Sequence, residues 1–278
     1  MTEMDPMTNL RNELGTPYLL TPEKIRFYSE NGYVKLKNVF SKELIEYFRT
    51  IISERVAELS ADAAPLDQRN TYGKAFLQTM NLWTKSEPVK EFVFGKRLAR
   101  IASELMGAPG VRLYHDQALY KEPGGGITPW HADQYYWPIS SDKTITAWVP
   151  LQETPLSMGP LAFCEKSHRL QIGRDLEISD ESELTMKEAL KQFQTEERGF
   201  DLGEVSFHAG WTFHRAGANS TDRPREVMTV IYIEEDSVLA APKHRKHISD
   251  TERWCPRVKI GEIIASHLNP VLYSSRSD

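Results

Sequence analysis

Between residues 111 and 234 the chain is cut into short strand-forming segments, and this texture does most to limit the folds open to it. "VRLYHDQALYK" (Val111–Lys121) is rich in β-branched and aromatic residues. "KTITAWVPL" (Lys143–Leu151), "PLAFCE" (Pro160–Glu165), "GEVSFHA" (Gly203–Ala209) and "REVMTVIYIE" (Arg225–Glu234) are similar. Clusters of Gly, Pro, Asp and Asn separate them. Many short strands with turn signals between them predict a sandwich or small barrel. One stretch, Ile178–Arg198, is charged and helix-prone and reads as an insertion between strands.

The first third has a different period. Thr21 before Pro22 and Glu23 predicts a helix start, with Pro at the first helical position, and Asn31-Gly32 predicts its end. "YVKLKNV" (Tyr33–Val39) alternates and predicts a strand. Ser41 is placed to cap a helix over Lys42–Leu59, where Leu44, Ile45, Phe48, Ile51, Ile52 and Val56 form one apolar face. Residues 60–74 read as a loop. Two further helices are predicted near Pro88–Phe94 and over Lys96–Met106, the second ended by Gly107. The expected organisation is one domain over residues 1–278. It comprises a flexible N-terminus (1–17), a mostly helical flank (18–110), a β-core (111–235) holding the helical insertion, and a C-terminal extension (236–278).

Composition narrows the function classes. With 278 residues and 40% hydrophobic content, the chain can bury a sizeable core. A net charge of −5 and a pI near 6.0 imply no basic patch, so nucleic acid is not an expected partner. Cys164 and Cys255 have neither zinc-site nor disulfide-framework spacing, which fits a reducing, cytoplasmic setting. The first residues show no secretory pattern, and no apolar run reaches the length of a spanning helix, so no membrane association is expected. Nothing in the sequence indicates an oligomeric state.

The chemistry-bearing stretch is "TPWHADQYYWPIS" (Thr128–Ser140). In an extended chain residues i and i+2 project together, so His131 and Asp133 can reach one ion. Chance alone gives about 0.4 such triplets in this composition, so the pair by itself is better read as Asp133 bonding His131 or capping a turn. A third donor is available in "WTFHRAGANSTDRPRE" (Trp211–Glu226), where His214 follows an aromatic β-run. Two histidines and one carboxylate make the facial triad typical of non-haem Fe(II), with positions left open for a bidentate 2-oxo acid and O2. Arg225 offers a guanidinium fork for a second carboxylate on that acid, or a surface salt bridge. His168, His208, His244 and His247 read as structural or solvated. No GxSxG, GxGxxG or P-loop pattern occurs.

Taken together, "TPWHADQYYWP", "TAWVPLQE", "GPLAFCEKSHR" and "FHRAGANSTDRPRE" resemble the phytanoyl-CoA dioxygenase family of Fe(II)/2-oxoglutarate oxygenases. The pattern is an HxD pair, a tryptophan 17 residues after the histidine, a KSH-R segment, and a distal histidine with arginine eleven residues later. It spans residues 18–235. The resemblance implies a mainly β fold with flanking α-helices around a double-stranded β-helix (jelly-roll, cupin-like) core. It implies iron on His131, Asp133 and His214, Arg225 on the distal carboxylate of 2-oxoglutarate, and Trp148 beside that cosubstrate. Gln117 falls where the family lines the cosubstrate pocket, and Gln78 near a position where some members use lysine. Two departures are Met158, where many members have asparagine, and Ala216, where serine is common. Because related halogenases lack the carboxylate, Asp133 favours oxygenation.

The expected activity is therefore oxidation of an unactivated C–H bond of a small molecule by Fe(II), 2-oxoglutarate and O2, releasing succinate and CO2. The alternatives are a non-catalytic jelly-roll protein holding a metal or ligand, and a family member that desaturates, cyclises or epimerises. Tyr135, Tyr136 and Trp137, just after the HxD pair, are candidates for the substrate mouth. They also suit simple core packing, as do Trp130 and Trp211.

Overall fold

The computed structural model describes residues 6–69 and 71–276. Its elements in chain order are α1 (Pro6–Gly15), α2 (Pro22–Asn31), β1 (Tyr33–Leu36), α3 (Lys42–Leu59), α4 (Thr71–Ala75), β2 (Leu77–Met80), α5 (Glu87–Val93) and α6 (Lys96–Met106). Then follow β3 (Gly110–Lys121), β4 (Thr128–His131), β5 (Thr144–Pro150), β6 (Leu161–Cys164), α7 (Asp180–Leu190), β7 (Thr195–Glu197), β8 (Val205–Ala209), β9 (His214–Ala216), β10 (Arg225–Glu234), α8 (Arg245–Trp254) and β11 (Val271–Ser274).

The strands form two antiparallel sheets, the arrangement of a jelly roll. The major sheet runs β1-β8-β5-β10-β3-β11, with β2 also paired to β3. The minor sheet runs β4-β9-β6-β7. Alternation along the strands divides the major sheet cleanly. Val205 and Phe207 of β8, Ile145, Ala147 and Val149 of β5, and Met228, Val230 and Tyr232 of β10 belong to the core shared with α3, α5 and α6. The intervening residues, among them His208, Thr146, Trp148, Arg225 and Thr229, line the space between the sheets. The helices thus bury the outer face, with Leu44, Phe48, Ile52 and Phe92 all fully inaccessible. Each such side chain contributes about 1.5–3 kcal/mol. A slip of one residue in any of these strands would exchange core and cavity side chains.

The helix ends follow local chemistry. Ser41 accepts from the backbone of Leu44 at 3.2 Å, and Gly32 closes α2 in the left-handed region (φ 83°). Four expectations differ. The loop forecast over 60–74 gives way at its end to α4 (Thr71–Ala75). The strand forecast over Tyr33–Val39 stops at Leu36, because Asn38 turns the chain with φ 54°. The N-terminus foreseen as flexible over 1–17 forms α1, anchored by Glu13 to Ser41 and Arg97; residues 1–5 lie outside the described residues. The insertion over Ile178–Arg198 is helical only as α7. Its last residues are β7, which pairs with β6 and completes the minor sheet. Among the described residues no helix is long and apolar enough to cross a membrane.

Candidate active site

A cavity of about 620 Å³ lies between the two sheets. His131 ends β4 and stands directly opposite His214, which opens β9. Their rings are 4.1 Å apart. Ala132 keeps an extended backbone, so Asp133 projects with His131 as the spacing predicted, although Asp133 itself opens a 3-10 turn rather than continuing the strand. Asp133 Oδ1 lies 3.6 Å from His131 Nε2 and 3.7 Å from His214 Nε2. The three donor atoms fall within 4.8 Å of one another, so the group can hold a metal ion.

The surrounding atoms prepare these donors. His131 Nδ1 faces the carbonyl of Pro129 at 2.8 Å, and His214 Nδ1 that of Thr212 at 3.0 Å. Each carbonyl keeps the proton on Nδ1 and leaves the Nε2 lone pair for the centre. Burial pushes both imidazoles down to about 4, helped by His214 beside His131 and by His208 beside His214, so both are neutral at neutral pH. Burial pushes the Asp133 carboxyl upward, but His214, His208 and His131 outweigh it and hold the group well below the usual carboxylate range. The second oxygen is occupied: Thr146 Oγ1 donates to Asp133 Oδ2 at 2.9 Å, and His208 Nε2 lies 3.2 Å from it. His208, read from sequence as merely structural, therefore braces the triad carboxylate. His168 sits in a 3-10 turn (Ser167–Arg169), as foreseen.

Arg225 opens β10 at the inner end of the cavity and is 1% exposed. Burial pushes its guanidinium down to about 9. One Nη donates to the Gly159 carbonyl, and among the described residues Nε has no partner. Among the described residues, the surface salt bridge considered for Arg225 does not form. Its Cζ lies 5.4 Å from the Trp148 ring, which also borders the cavity. Gln78 and Gln117 both reach the cavity, from β2 and β3, and bond to each other.

The aromatic trio divides. Tyr136 and Trp137 line the cavity, whereas Tyr135 turns away and stacks on His244 at 4.5 Å. His244 and His247, expected in a solvated loop, instead point ring nitrogens at the Tyr135 carbonyl at 3.1 and 2.9 Å, and His247 is buried. The chain docks α8 here, because these contacts and the Tyr114–Asp250 hydrogen bond hold it over the outer end of the cavity. Lys246, Ser249, Asp250, Arg253 and Trp254 of α8 line that end. Their helical spacing is visible in "RKHISDTERW", but the face is polar and carries no apolar stripe to flag it. His115, also overlooked, is 1% exposed and lines the cavity.

The model of the phytanoyl-CoA dioxygenase family matches residues 28–227. The chain belongs to that family. Its relatives include a protein of Stutzerimonas stutzeri described as a probable alpha-ketoglutarate-dependent hypophosphite dioxygenase, 24% identical over 77% of this chain and 79% of its own. The 1-deoxypentalenic acid 11-beta-hydroxylase of Streptomyces arenae is 30% identical over 55% of this chain and 57% of its own. Among solved structures, the non-heme alpha-ketoglutarate-dependent carbocyclase SnoK from nogalamycin biosynthesis superposes with a TM-score of 0.75 at 26% identity, covering 92% of this chain and 99% of SnoK. The phytanoyl-CoA dioxygenase family member described here is thus an Fe(II)- and 2-oxoglutarate-dependent dioxygenase of small molecules with a jelly-roll core. Two neutral imidazoles and one carboxylate oxygen suit Fe(II), and three protein donors leave coordination positions open.

Proposed function

We propose that His131, Asp133 and His214 hold Fe(II), that Arg225 and Trp148 seat 2-oxoglutarate at the inner end of the cavity, and that the small-molecule substrate enters under α8. The observation that carries this reading is the convergence of three donor atoms within 4.8 Å at the wall of a cavity whose far end holds a buried arginine with an unpartnered Nε. When bound, Fe(II) with 2-oxoglutarate and O2 supplies the oxidising power for a substrate C–H bond, with succinate and CO2 as co-products.

The chain's own residues bind, orient and shield. The Pro129 and Thr212 carbonyls aim the two imidazoles. Thr146 and His208 hold Asp133 Oδ2, which presents Oδ1 alone to the centre. Arg225 supplies charge-assisted hydrogen bonds to a distal carboxylate, and its burial excludes competing water. Gln78 and Gln117 complete the polar wall, while Tyr136, Trp137 and Trp254 offer apolar surface to a substrate. A non-catalytic binding protein has no use for an inner arginine held without a counter-ion, so the oxygenase reading is preferred. Hydroxylation is the simplest outcome for a substrate beside an open iron site. We read residues 1–278 as one oxygenase domain, and two buried free thiols suit a reducing compartment such as the cytoplasm.

The test is succinate release from 2-oxoglutarate over a panel of small metabolites with Fe(II). His131→Ala, Asp133→Ala and His214→Ala should each abolish it, and Arg225→Ala should chiefly raise KM for 2-oxoglutarate. Full activity in any triad variant overturns the ligand assignment.

A further inference from the structure

The cavity has an arginine at each end. Arg225 closes the inner end and is buried, whereas Arg253, in the last turn of α8, lines the outer end and is exposed. Three other charged side chains line that outer end, and each has a partner. Lys246 Nζ lies 2.7 Å from Glu177 Oε1, so these two answer each other. Asp250 accepts from the Tyr114 hydroxyl and from the Trp254 side chain. Burial also pushes the Asp250 carboxyl up to about 7, so near neutral pH it carries only part of a negative charge. Arg253 lies near enough to influence Asp250, yet it makes no hydrogen bond or salt bridge among the described residues. Among those residues it is the outer-end charge left without a bonded partner.

The wall leading from the triad to Arg253 is apolar. His115 feels the charge of Asp133, and its ring lies 5.0 Å from that of Trp254, the residue after Arg253. Trp137 is 6.3 Å from His115 and belongs to the same buried cluster as Trp254, with Met80 and Tyr136 packed against it. All of these line the cavity. A molecule lying along this wall meets aromatic rings and a thioether near the iron donors and a guanidinium at the far end. A guanidinium fork matches a carboxylate in two parallel hydrogen bonds. An ammonium group would meet the opposite situation. Glu177 is taken by Lys246 and Asp250 by Tyr114, so it would face Arg253 with no open carboxylate to bind. A polar body would lose its water against the aromatic wall without replacement hydrogen bonds.

We propose that the substrate is a carboxylic acid with an apolar body, its carboxylate held by Arg253 and its body laid against Trp137 and Trp254. This rests on the oxygenase reading given above and names the substrate class of that same site. The arrangement also sets which carbon reacts. An acid group held at the outer end stays off the iron and does not compete with the 2-oxo acid. The carbon nearest the iron is then one remote from the carboxylate, in the ring or chain that the aromatic wall supports.

The experiment uses the anaerobic protein loaded with Fe(II) and 2-oxoglutarate, whose weak visible charge-transfer band shifts when a molecule settles beside the iron. The probes are adamantanecarboxylate, cinnamate and decanoate, each with its primary amide and the matching amine. At least one acid should shift the band with a Kd about tenfold or more below that of its amide, and the amines should bind no better than the amides. Arg253→Gln should remove that preference, weakening the acid about tenfold while leaving the amide and the Kd for 2-oxoglutarate unchanged. Acids binding no tighter than amides in the parent, no shift with any probe, or an equal loss for acid and amide in Arg253→Gln each overturns the proposal and leaves the iron site standing. No band with 2-oxoglutarate in the parent protein would instead overturn the proposed function, and this proposal with it.

Discussion

Thr146 donates its hydroxyl to Asp133 Oδ2 at 2.9 Å, and this contact decides which oxygen of the triad carboxylate faces the two imidazoles. Thr146 lies on β5, directly opposite His208 of β8, so one strand pair braces Asp133 twice. Replacing Thr146 by valine keeps the volume and frees the carboxylate to rotate. The expected result is a loss of Fe(II) affinity on the order of tenfold, the usual scale for partners that orient metal ligands. Competition with a chelator of known affinity measures it, and an unchanged affinity would show that Asp133 does not depend on Thr146.

Gly159 approaches the opposite loop too closely for any side chain. It has φ 66°, and a Cβ built there would lie 2.1 Å from the Gly217 carbonyl oxygen and 2.9 Å from that of Ala218. The Gly159 carbonyl also accepts from Arg225. Gly159→Ala should therefore cost at least about 1–3 kcal/mol of stability, from backbone strain alone, and raise KM for 2-oxoglutarate as the Arg225 anchor shifts. Urea midpoints and steady-state kinetics read the two effects separately. A variant of parental stability would contradict the close approach.

Asp250 makes the docking of α8 sensitive to pH. Burial pushes its carboxyl up to about 7, against the opposing hydrogen bonds of Tyr114 and Trp254 and the nearby charge of Arg253. The folded protein thus holds this proton more tightly than the unfolded chain, whose carboxyl titrates near 3.8. Its contribution is most favourable at low pH and is lost as pH rises toward about 7. Asp250→Asn cannot titrate, so parent stability should fall relative to Asp250→Asn between about pH 4 and about pH 7 and level off above that. Thermal melts of both proteins across that range test it, and a constant difference would remove Asp250 as the titrating group.

Much of the site was legible in the sequence because its parts are local. His131 and Asp133 are two residues apart, and extended backbone through Ala132 is enough to bring their side chains to one side. The apolar periodicity of α3 and the alternation in β10 were plain for the same reason. A motif order covering most of the chain supplied His214, Arg225 and Trp148, all of which reach the cavity. The failures have a shared physical origin. Tyr135 and Tyr136 are adjacent, yet only Tyr136 reaches the cavity, because Tyr135 belongs to a 3-10 turn whose outer face packs on His244. The residues Thr195–Glu197 are charged and helix-prone, and they became a strand because β6 offered an unpaired edge.

By itself the sequence determined the kind of chain this is: antiparallel strands wrapped by helices, and two adjacent donors joined by a distant third. Those features follow from side-chain period and short-range backbone geometry, which are written residue by residue. Only the tertiary structure decided what surrounds the donors. Strand pairing brought Thr146 and His208 to Asp133, register set Thr128 against Ala216, and α8 closed the outer end. Each of these depends on which strand edges meet and in what register. That is fixed by the packing of the whole core and leaves no local mark on the residues concerned.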